Sequence, residues 1–468
     1  MMWTFDRFGS QVAVVDEFGQ RLSYAELARE GRALCQAVGS RCLVLQVCQN
    51  TLGSFLGYAS FLEGNIVPAM LGADTNPETL EALYQAYAPK FLWVPEGMRV
   101  KKCMPVYKRF GYQLLATPFE DRTQLHADLA LLLTTSGSTG SPKFVRQSYR
   151  NIRSNTDSIV EYLELTAGER PITTLPMHYT YGLSIINSHL DVGAAILLTD
   201  KGIAQKDFWS FFKAREATSF GGVPYTYEML DRMRFTRMDL PSLKVMTQAG
   251  GKLSLALHEK LARWCLETGR KFYVMYGQCE ATARMSYLPW TRSLEKAGTI
   301  GIAIPGGRFE LLDGDGTVIT QPEITGELRY HGDNVTLGYA QSAADLVLGD
   351  ERGGVLDTGD MAKMDADGYF TIVGRQKRFL KIFGNRVNLD EAEGLLKAAF
   401  PDVDLVCGGK DDHLYLFATR EDLLPELRRY LIEKTGLNPV AFHAKVIPEI
   451  PHNDAGKTLY KELEQYYD

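Results

Sequence analysis

The stretch Leu129-Ala-Leu-Leu-Leu-Thr-Thr-Ser-Gly-Ser-Thr-Gly-Ser-Pro-Lys143 decides how this chain reads. Its first part is an apolar run of strand length, and its second packs hydroxyls, glycines and one cation into a short loop directly behind that strand. Glycine lets a backbone turn with positive φ and approach an anion closely, while successive N–H groups, hydroxyls and a lysine supply donors for phosphate oxygens. A polyphosphate is the natural guest of such a loop. It is not the common nucleotide-binding P-loop, which ends in Gly-Lys-Ser/Thr, because Pro142 separates the last glycine from Lys143. A plain Ser/Gly surface turn has the same composition, so the rest of the chain must choose between the two.

Outward from this strand, helix and strand patterns alternate. Ser23 and Glu26 make a capping box ahead of an amphipathic stretch to about Val38, and Leu43 to Val47 reads as a buried strand. Apolar runs at Leu129 to Leu133, Ala194 to Leu198 and Phe272 to Met275 are bounded by Gly, Thr or Asp, the pattern of a parallel sheet covered by helices. The expected fold class is therefore α/β, with layered α/β subdomains in a large N-terminal domain. From about Gly298 to Gly374 the texture changes to short β-like segments between Gly-Asp turns such as Asp313-Gly-Asp-Gly316 and Asp365-Ala-Asp-Gly368, which predicts a small β subdomain. After Arg375 the pattern runs helix (Asp390 to Ala399), two strands (Val403 to Cys407, Leu414 to Ala418), helix (Glu421 to Thr435) and strand (Ala441 to Val446), a small α+β C-terminal domain. No internal repeat or low-complexity segment interrupts this order.

Composition narrows the function classes. With 468 residues the chain is too long for one ordinary core, and an apolar content of 45% suffices for two or more domains. A formal charge of −6 without runs of like charge argues against nucleic acid, whose phosphates call for a concentrated basic face. The 7 cysteines lack Cys-x-x-Cys spacing, which speaks against a zinc site or a disulfide framework and for a reducing, cytoplasmic location. The N-terminal Met1-Met-Trp-Thr-Phe-Asp-Arg has no apolar signal core, and the longest apolar runs fall well short of the ~20 residues that span a bilayer, so no membrane span is expected.

Thr135-Ser-Gly-Ser-Thr-Gly-Ser-Pro-Lys143 resembles the phosphate loop of the adenylate-forming superfamily, which includes acyl- and aryl-CoA ligases, adenylation domains of peptide synthetases, and luciferases. Further matches follow in the family's order: Tyr276-Gly-Gln-Cys-Glu280, Gly326-Glu-Leu followed by Gly338-Tyr339, Leu356-Asp-Thr-Gly-Asp360, Gly374-Arg375, Lys381-Ile-Phe-Gly-Asn-Arg-Val387 and Asn453-Asp-Ala-Gly-Lys457. They span nearly the whole chain. The resemblance implies an N-terminal domain over 1–374, including the β subdomain at about 298–374, a hinge at 375–377, and a mobile C-terminal domain over 378–468. It also implies an AMP-forming acid–thiol ligase of fatty or aryl acid metabolism. Such an enzyme uses ATP and Mg²⁺ to turn a carboxylic acid into acyl-AMP and pyrophosphate, then passes the acyl group to the thiol of CoA or of a carrier protein's phosphopantetheine.

The residue roles follow from the same resemblance. Thr135, Ser136, Gly137, Ser138, Thr139, Gly140 and Lys143 would hold the β- and γ-phosphates. Glu280, just after the strand Phe272 to Met275, would hold Mg²⁺, which takes only one or two protein carboxylates beside substrate phosphates. Cys279 stands where the family usually has a Thr whose hydroxyl touches the α-phosphate, and a thiol is the weaker donor. Gly250, Gly251, Lys252, Tyr276 and Gly277 would line the adenine, and Asp360 would accept both ribose hydroxyls with Arg375 as a second contact. Outside this context a lone Glu after a strand is a solvated loop acid and an Asp after Thr-Gly shapes a turn. Lys457 is the implied catalytic residue: it comes from the mobile domain and bridges carboxylate and nucleotide while the mixed anhydride forms. Lys377 would be the hinge, and Gly384, within Lys381 to Val387, would meet the pantetheine thiol.

The acyl pocket is expected around Pro176-Met-His-Tyr-Thr-Tyr-Gly-Leu-Ser184, with His178 and Tyr179 near the carboxylate, or else as aromatics packing a core. Tyr225, in Val223-Pro-Tyr-Thr-Tyr227, supplies a further aromatic wall. Amino-acid-activating members carry an Asp shortly after this stretch, and the best-aligned position here is Gly182, which would leave a buried ammonium unpaired. A fatty, aryl or hydroxy acid is the expected substrate. An amino-acid adenylation protein is the nearest rival, and a nucleotide-binding protein without turnover is a second. The chain ends soon after Lys457, so an acyl carrier protein is expected to act in trans.

Overall fold

The computed structural model describes residues 2–120, 123–134, 143–375, 378–382, 385–410, 412–435, 437–452 and 458–467. Leu129–Thr134 is the expected strand, buried from Leu129 to Leu133. It lies inside an eight-stranded sheet ordered Gly338–Ala340, Phe144–Ser148, Leu129–Thr134, Val67–Gly72, Leu43–Cys48, Phe91–Pro95, Tyr112–Ala116, Met104–Arg109. The four strands from Leu129–Thr134 to Phe91–Pro95 are parallel, and those at either end are antiparallel. Burial on both faces explains why these strands read as continuous apolar runs, each buried Leu contributing about 1.5–3 kcal/mol. The Ser23–Glu26 capping box opens helix Tyr24–Val38 as predicted. Helix Leu52–Glu63, buried from Leu52 to Leu62, supplies the crossover between Leu43–Cys48 and Val67–Gly72.

A five-stranded sheet follows the order Ser219–Gly222, Val245–Gln248, Lys271–Tyr276, Ser286–Leu288, Ile302–Ala303, parallel across the first three. A third sheet sets Val12–Asp16 between Ile196–Leu198 and Arg21–Ser23. The three apolar runs expected in one parallel sheet therefore belong to three sheets. A strand buried on both faces carries no mark of which neighbours bury it, so period and composition could not separate them.

The described residues divide into two compact units: 2–134, 143–308 and 331–356 in the first, 309–330 and 357–467 in the second. The second unit holds a sheet ordered Val318–Ile319, Arg308–Leu312, Gly326–His331, Val355–Met364, Phe370–Arg375. The Gly-Asp turns close two of its hairpins: Asp313 Oδ1 accepts from the N–H groups of Asp315 and Thr317, and Asp365 Oδ1 from those of Asp367 and Tyr369. Two strands of the stretch 298–374 pair elsewhere, Ile302–Ala303 in the five-stranded sheet and Gly338–Ala340 against Phe144–Ser148. Arg146 fixes the latter. Its fully buried guanidinium pairs with Glu351 and donates to the carbonyls of Tyr339 (2.9 Å), Leu337 (3.2 Å) and Gly349 (3.2 Å).

Towards the C-terminus come hairpin Phe379–Ile382 with Asn385–Asn388, helix Leu389–Ala399, strands Leu405–Lys410 and His413–Ala418, helix Leu424–Thr435 and strand Phe442–Val446. The last three strands form one sheet, packed through Leu405, Cys407, Leu414 and Leu416 on Leu396, Leu427 and Leu431 of the helices. This is the α+β order read from the sequence, with boundaries moved by up to three residues.

Candidate functional site

Of the residues singled out above, Thr135, Ser136, Gly137, Ser138, Thr139, Gly140, Lys377, Gly384 and Lys457 lie outside the described residues. The others fall into two groups, one in each unit. In the first unit the carboxyl ends of parallel strands converge, the place where ligands collect in open α/β sheets. Strand Lys271–Tyr276 runs into Gly277, Gln278 and a single 3₁₀ turn, Cys279–Ala281. Gly277 is obligatory there, since a Cβ would lie 1.6 Å from the Ala283 carbonyl oxygen. Gln278 Nε2 reaches the Tyr276 hydroxyl at 3.3 Å.

The turn hangs on its neighbours through Glu280. The Glu280 carbonyl oxygen accepts from the Thr336 N–H (3.0 Å), the Thr336 hydroxyl (2.9 Å) and Arg352 Nη1 (3.0 Å). Its carboxylate accepts a 2.6 Å hydrogen bond from the Tyr339 hydroxyl. Burial, and next the Glu280 charge, push the Tyr339 phenol well above its ordinary range, so it remains a donor. The Tyr339 ring is in turn covered by two cations, Lys143 Nζ at 3.7 Å and the Arg352 guanidinium at 4.8 Å from its centroid. Lys143 and Glu280, 137 residues apart in the chain, are thus joined through one tyrosine. A cation, a carboxylate and a phenol held this way are suited to a triphosphate with its metal ion.

Cys279 lies at the end of the deciding strand, its Sγ donating to the Thr134 carbonyl at 3.8 Å. Burial, then the Glu280 charge, raise its thiol far above the ordinary range. Tyr179 stands beside it; burial, and after it Cys279, push that phenol up to about 12. Gly250, with φ of 84°, follows strand Val245–Gln248, and a Cβ there would meet the Tyr179 hydroxyl at 2.8 Å. Gly251 packs on Pro224, whereas Lys252 is exposed. The Pro176–His178 segment is pinned by buried Asn50, which accepts from the Met177 N–H (3.0 Å) and donates to the Leu175 (3.1 Å) and Thr199 (3.3 Å) carbonyls. His178 sits against Gly72 at the end of strand Val67–Gly72, its imidazole pushed down by burial and partly held up by Asp74. Tyr225 is 56% exposed. Gly182 lies within helix Thr180–Asp191, where a Cβ would fall 2.4 Å from the Pro176 carbonyl oxygen, so close packing dictates glycine at this position.

The second group is Asp360 and Arg375. They face each other across Val355–Met364 and Phe370–Arg375, with Nε 3.4 Å from Oδ1. Asp360 is 6% exposed, and its N–H donates to the Thr358 hydroxyl. Sequence reasoning placed no role on Tyr339, Arg352, Thr336 or Asn50. Gly338-Tyr339 stood among the motif matches, a signal that was present; Arg352 and Asn50 carried none.

A family model described as AMP-binding enzyme matches residues 2–340. A long-chain-fatty-acid–CoA ligase from Yersinia pestis is 29% identical over 363 residues, 72% of this chain and 62% of that protein. An oxalate–CoA ligase from Arabidopsis thaliana is 30% identical over 294 residues, 62% of this chain and 56% of that protein. The chain thus spans about three fifths of the length of the curated relatives it matches. Among solved structures, O-succinylbenzoate coenzyme A synthetase from Bacillus subtilis in complex with ATP and magnesium ion superposes with a TM-score of 0.79 at 20% identity, covering 98% of both chains. ATP-bound MatB from Rhodopseudomonas palustris gives 0.76 at 21% identity over 99% of both. The fold is the α/β architecture of these proteins, with a large N-terminal and a small C-terminal domain. Among the described residues no helix is long and apolar enough to cross a membrane.

Proposed function

The chain belongs to the AMP-binding enzyme family, and on that premise we propose that it activates a carboxylic acid with ATP and passes the acyl group to the thiol of CoA. One carboxylate oxygen of the acid attacks the α-phosphorus of ATP, the bond to the bridging oxygen breaks, and its electrons leave with pyrophosphate. The CoA sulfur then attacks the acyl carbonyl carbon and AMP departs. The single observation that carries this reading is the cluster Lys143–Tyr339–Glu280 at the ends of two sheets' strands, which sets a cation and an oriented carboxylate where a triphosphate would lie. The names of the curated relatives, all CoA ligases among those described above, support the same class.

Each residue has a task in this scheme. Lys143, with the loop 135–140 before it, neutralises β- and γ-phosphate charge as it redistributes. Tyr339 takes one oxygen of the Glu280 carboxylate, which makes no other hydrogen bond among the described residues, so the second is open to a hard cation. Glu280 is therefore the residue that would hold Mg²⁺, and that ion supplies further charge neutralisation on the triphosphate when bound. Asp360, with Arg375 opposite, binds the ribose hydroxyls, and Gly250, Gly251 and Tyr276 form the adenine wall. Lys457 arrives from the C-terminal domain, 378–468, after rotation about 375–377. His178, neutral because burial favours the uncharged ring, lines the acid's carboxylate end beside Tyr179.

ATP–pyrophosphate exchange across a panel of acids tests the first step, and hydroxylamine trapping exposes the acyl-AMP directly. Exchange is expected with at least one non-amino acid, followed by AMP release on adding CoA, with phosphopantetheinylated carrier protein as the comparison acceptor. Calorimetric binding of ATP without pyrophosphate release for any acid would replace this reading with a nucleotide-binding protein that does not turn over.

A further inference from the structure

Arg284 is a buried cation without an anion. It is 2% exposed, and its guanidinium meets only neutral groups: Nε donates to the Ser184 hydroxyl (3.1 Å), and Nη1 to the Tyr162 hydroxyl (2.9 Å) and Met275 Sδ (3.2 Å). Among the described residues no carboxylate lies within ion-pair distance of it, and Nη2 makes no hydrogen bond. The neighbouring titratable groups cannot supply the missing charge. Burial pushes the Tyr162 and Tyr181 phenols up and the His189 imidazole down to about 4, which leaves all three neutral. A charge taken from water without a partner is strongly unfavourable, and a neutral side chain of similar volume would pack more cheaply. A guanidinium kept in such a place is accounted for by an anion that arrives from outside.

The location says which anion. Arg284 follows Glu280 by four residues, just past the Cys279–Ala281 turn in the chain. Its guanidinium lies over the Tyr181 ring at 5.2 Å; Tyr181 meets Tyr179 edge-on at 6.4 Å and hydrogen-bonds Thr247 at 2.7 Å. Tyr179 is the residue beside Cys279 at the reacting end. The contacts thus run from Cys279 through Tyr179 and Tyr181 to Thr247 and Arg284, which places Arg284 one ring beyond the residue at the reacting end.

Resting on the acid-activating reading above, we infer that the acid carries a second carboxylate at its far end, and that Arg284 pairs with it and so selects the substrate. Guanidinium suits this task because it stays charged and offers two parallel donors to oxygen. The test is ATP–pyrophosphate exchange by the intact protein with acids matched in size: a dicarboxylate, a hydroxyaryl acid, and the corresponding unsubstituted monoacids. The dicarboxylate is expected to be preferred over its unsubstituted partner by about 30-fold or more, whereas the hydroxyaryl acid, neutral at its far end, gains no such preference. Arg284→Met is expected to collapse that ratio without lowering the thermal midpoint of the free protein, whereas Arg284→Lys keeps part of it. Equal exchange with the unsubstituted acids in the native protein would overturn the inference, as would an unchanged ratio in Arg284→Met. The native ratio decides the matter if the Met variant fails to fold. Silence with every acid is a different result, which removes the acid-activating reading itself and this inference with it.

Discussion

Replacing Tyr339 by Phe removes one oxygen and leaves the ring that Lys143 and Arg352 cover. The lost contact is the 2.6 Å hydrogen bond to the Glu280 carboxylate. A hydrogen bond to a charged group contributes about 1.5–3 kcal/mol when both partners are shielded, but Glu280 is half-buried and water can replace the phenol, which reduces the expected loss to about 1 kcal/mol. If Glu280 holds Mg²⁺, that energy is withdrawn from the orientation of a metal ligand, and half-saturation by Mg²⁺ should rise roughly fivefold in ATP–pyrophosphate exchange at fixed ATP. Tyr339→Leu goes further. It also removes the ring at 3.7 Å from Lys143 and 4.8 Å from Arg352, two contacts each contributing about 0.5–1 kcal/mol at a partly exposed site. The summed loss of about 2–3 kcal/mol predicts a weakening of roughly 30- to 150-fold, now in ATP affinity as well as in metal dependence. An Mg²⁺ profile unchanged in Tyr339→Phe would refute the metal assignment of Glu280. Equal effects of Phe and Leu would refute the two-cation account of the ring.

Lys457→Ala is expected to slow acyl-AMP formation by about two orders of magnitude or more, read by hydroxylamine trapping, since it removes a preorganised charge; near-normal formation would rule the lysine out. Asp360→Asn should raise the KM for ATP about tenfold and leave the KM for the acid alone, because a carboxylate that accepts ribose hydroxyls loses its charge assistance; initial-rate kinetics with each substrate varied separate the two. For His258, burial pushes the imidazole from 6.5 down to about 4, its Nδ1 accepting from the Gly298 N–H (3.2 Å) and its Nε2 facing the Ser293 hydroxyl (3.1 Å). The unfolded chain therefore binds this proton first, so stability is lost as pH falls from 6.5 towards 4, by about 3 kcal/mol from this site. Denaturant midpoints of His258→Gln should fall less steeply than those of the native protein over that range.

What was legible in the sequence was local. The capping box at Ser23, the strand before the Ser/Gly loop, the two Asp-Gly turns and the helix–strand order after Arg375 all rest on residues within a few positions of one another, and all are present. What was not legible depends on partners far apart. Tyr339 reaches Lys143 only because Gly338–Ala340 pairs with Phe144–Ser148, and that pairing is held by Arg146, which donates to a carbonyl 193 residues away. A single arginine inside a strand carries no pattern that announces such a role. The three apolar runs assigned to one sheet failed for the same reason: burial on both faces erases the alternation that would tell one sheet from another. Gly182 shows the reverse case. Read as the missing partner of a substrate ammonium, it is also a place where the Leu175–Pro176 backbone leaves no room for a side chain, so the lack of an ammonium ligand is built into the packing.

Cys279 brings these strands of argument together. The position was flagged because a thiol is a poor donor where a hydroxyl is usual. Near an acyl-AMP a thiol carries a second hazard, since a thiolate is a strong nucleophile and the mixed anhydride an acylating agent. The surroundings oppose it: the half-buried side chain lies against the Thr134 carbonyl and beside Tyr179, and burial together with the Glu280 charge raises the thiol's ionisation above its ordinary range. A thiol kept protonated in this way leaves the acyl group to an external thiol. On the proposed chemistry, a protonated Cys279 favours transfer to CoA over transfer to the protein itself.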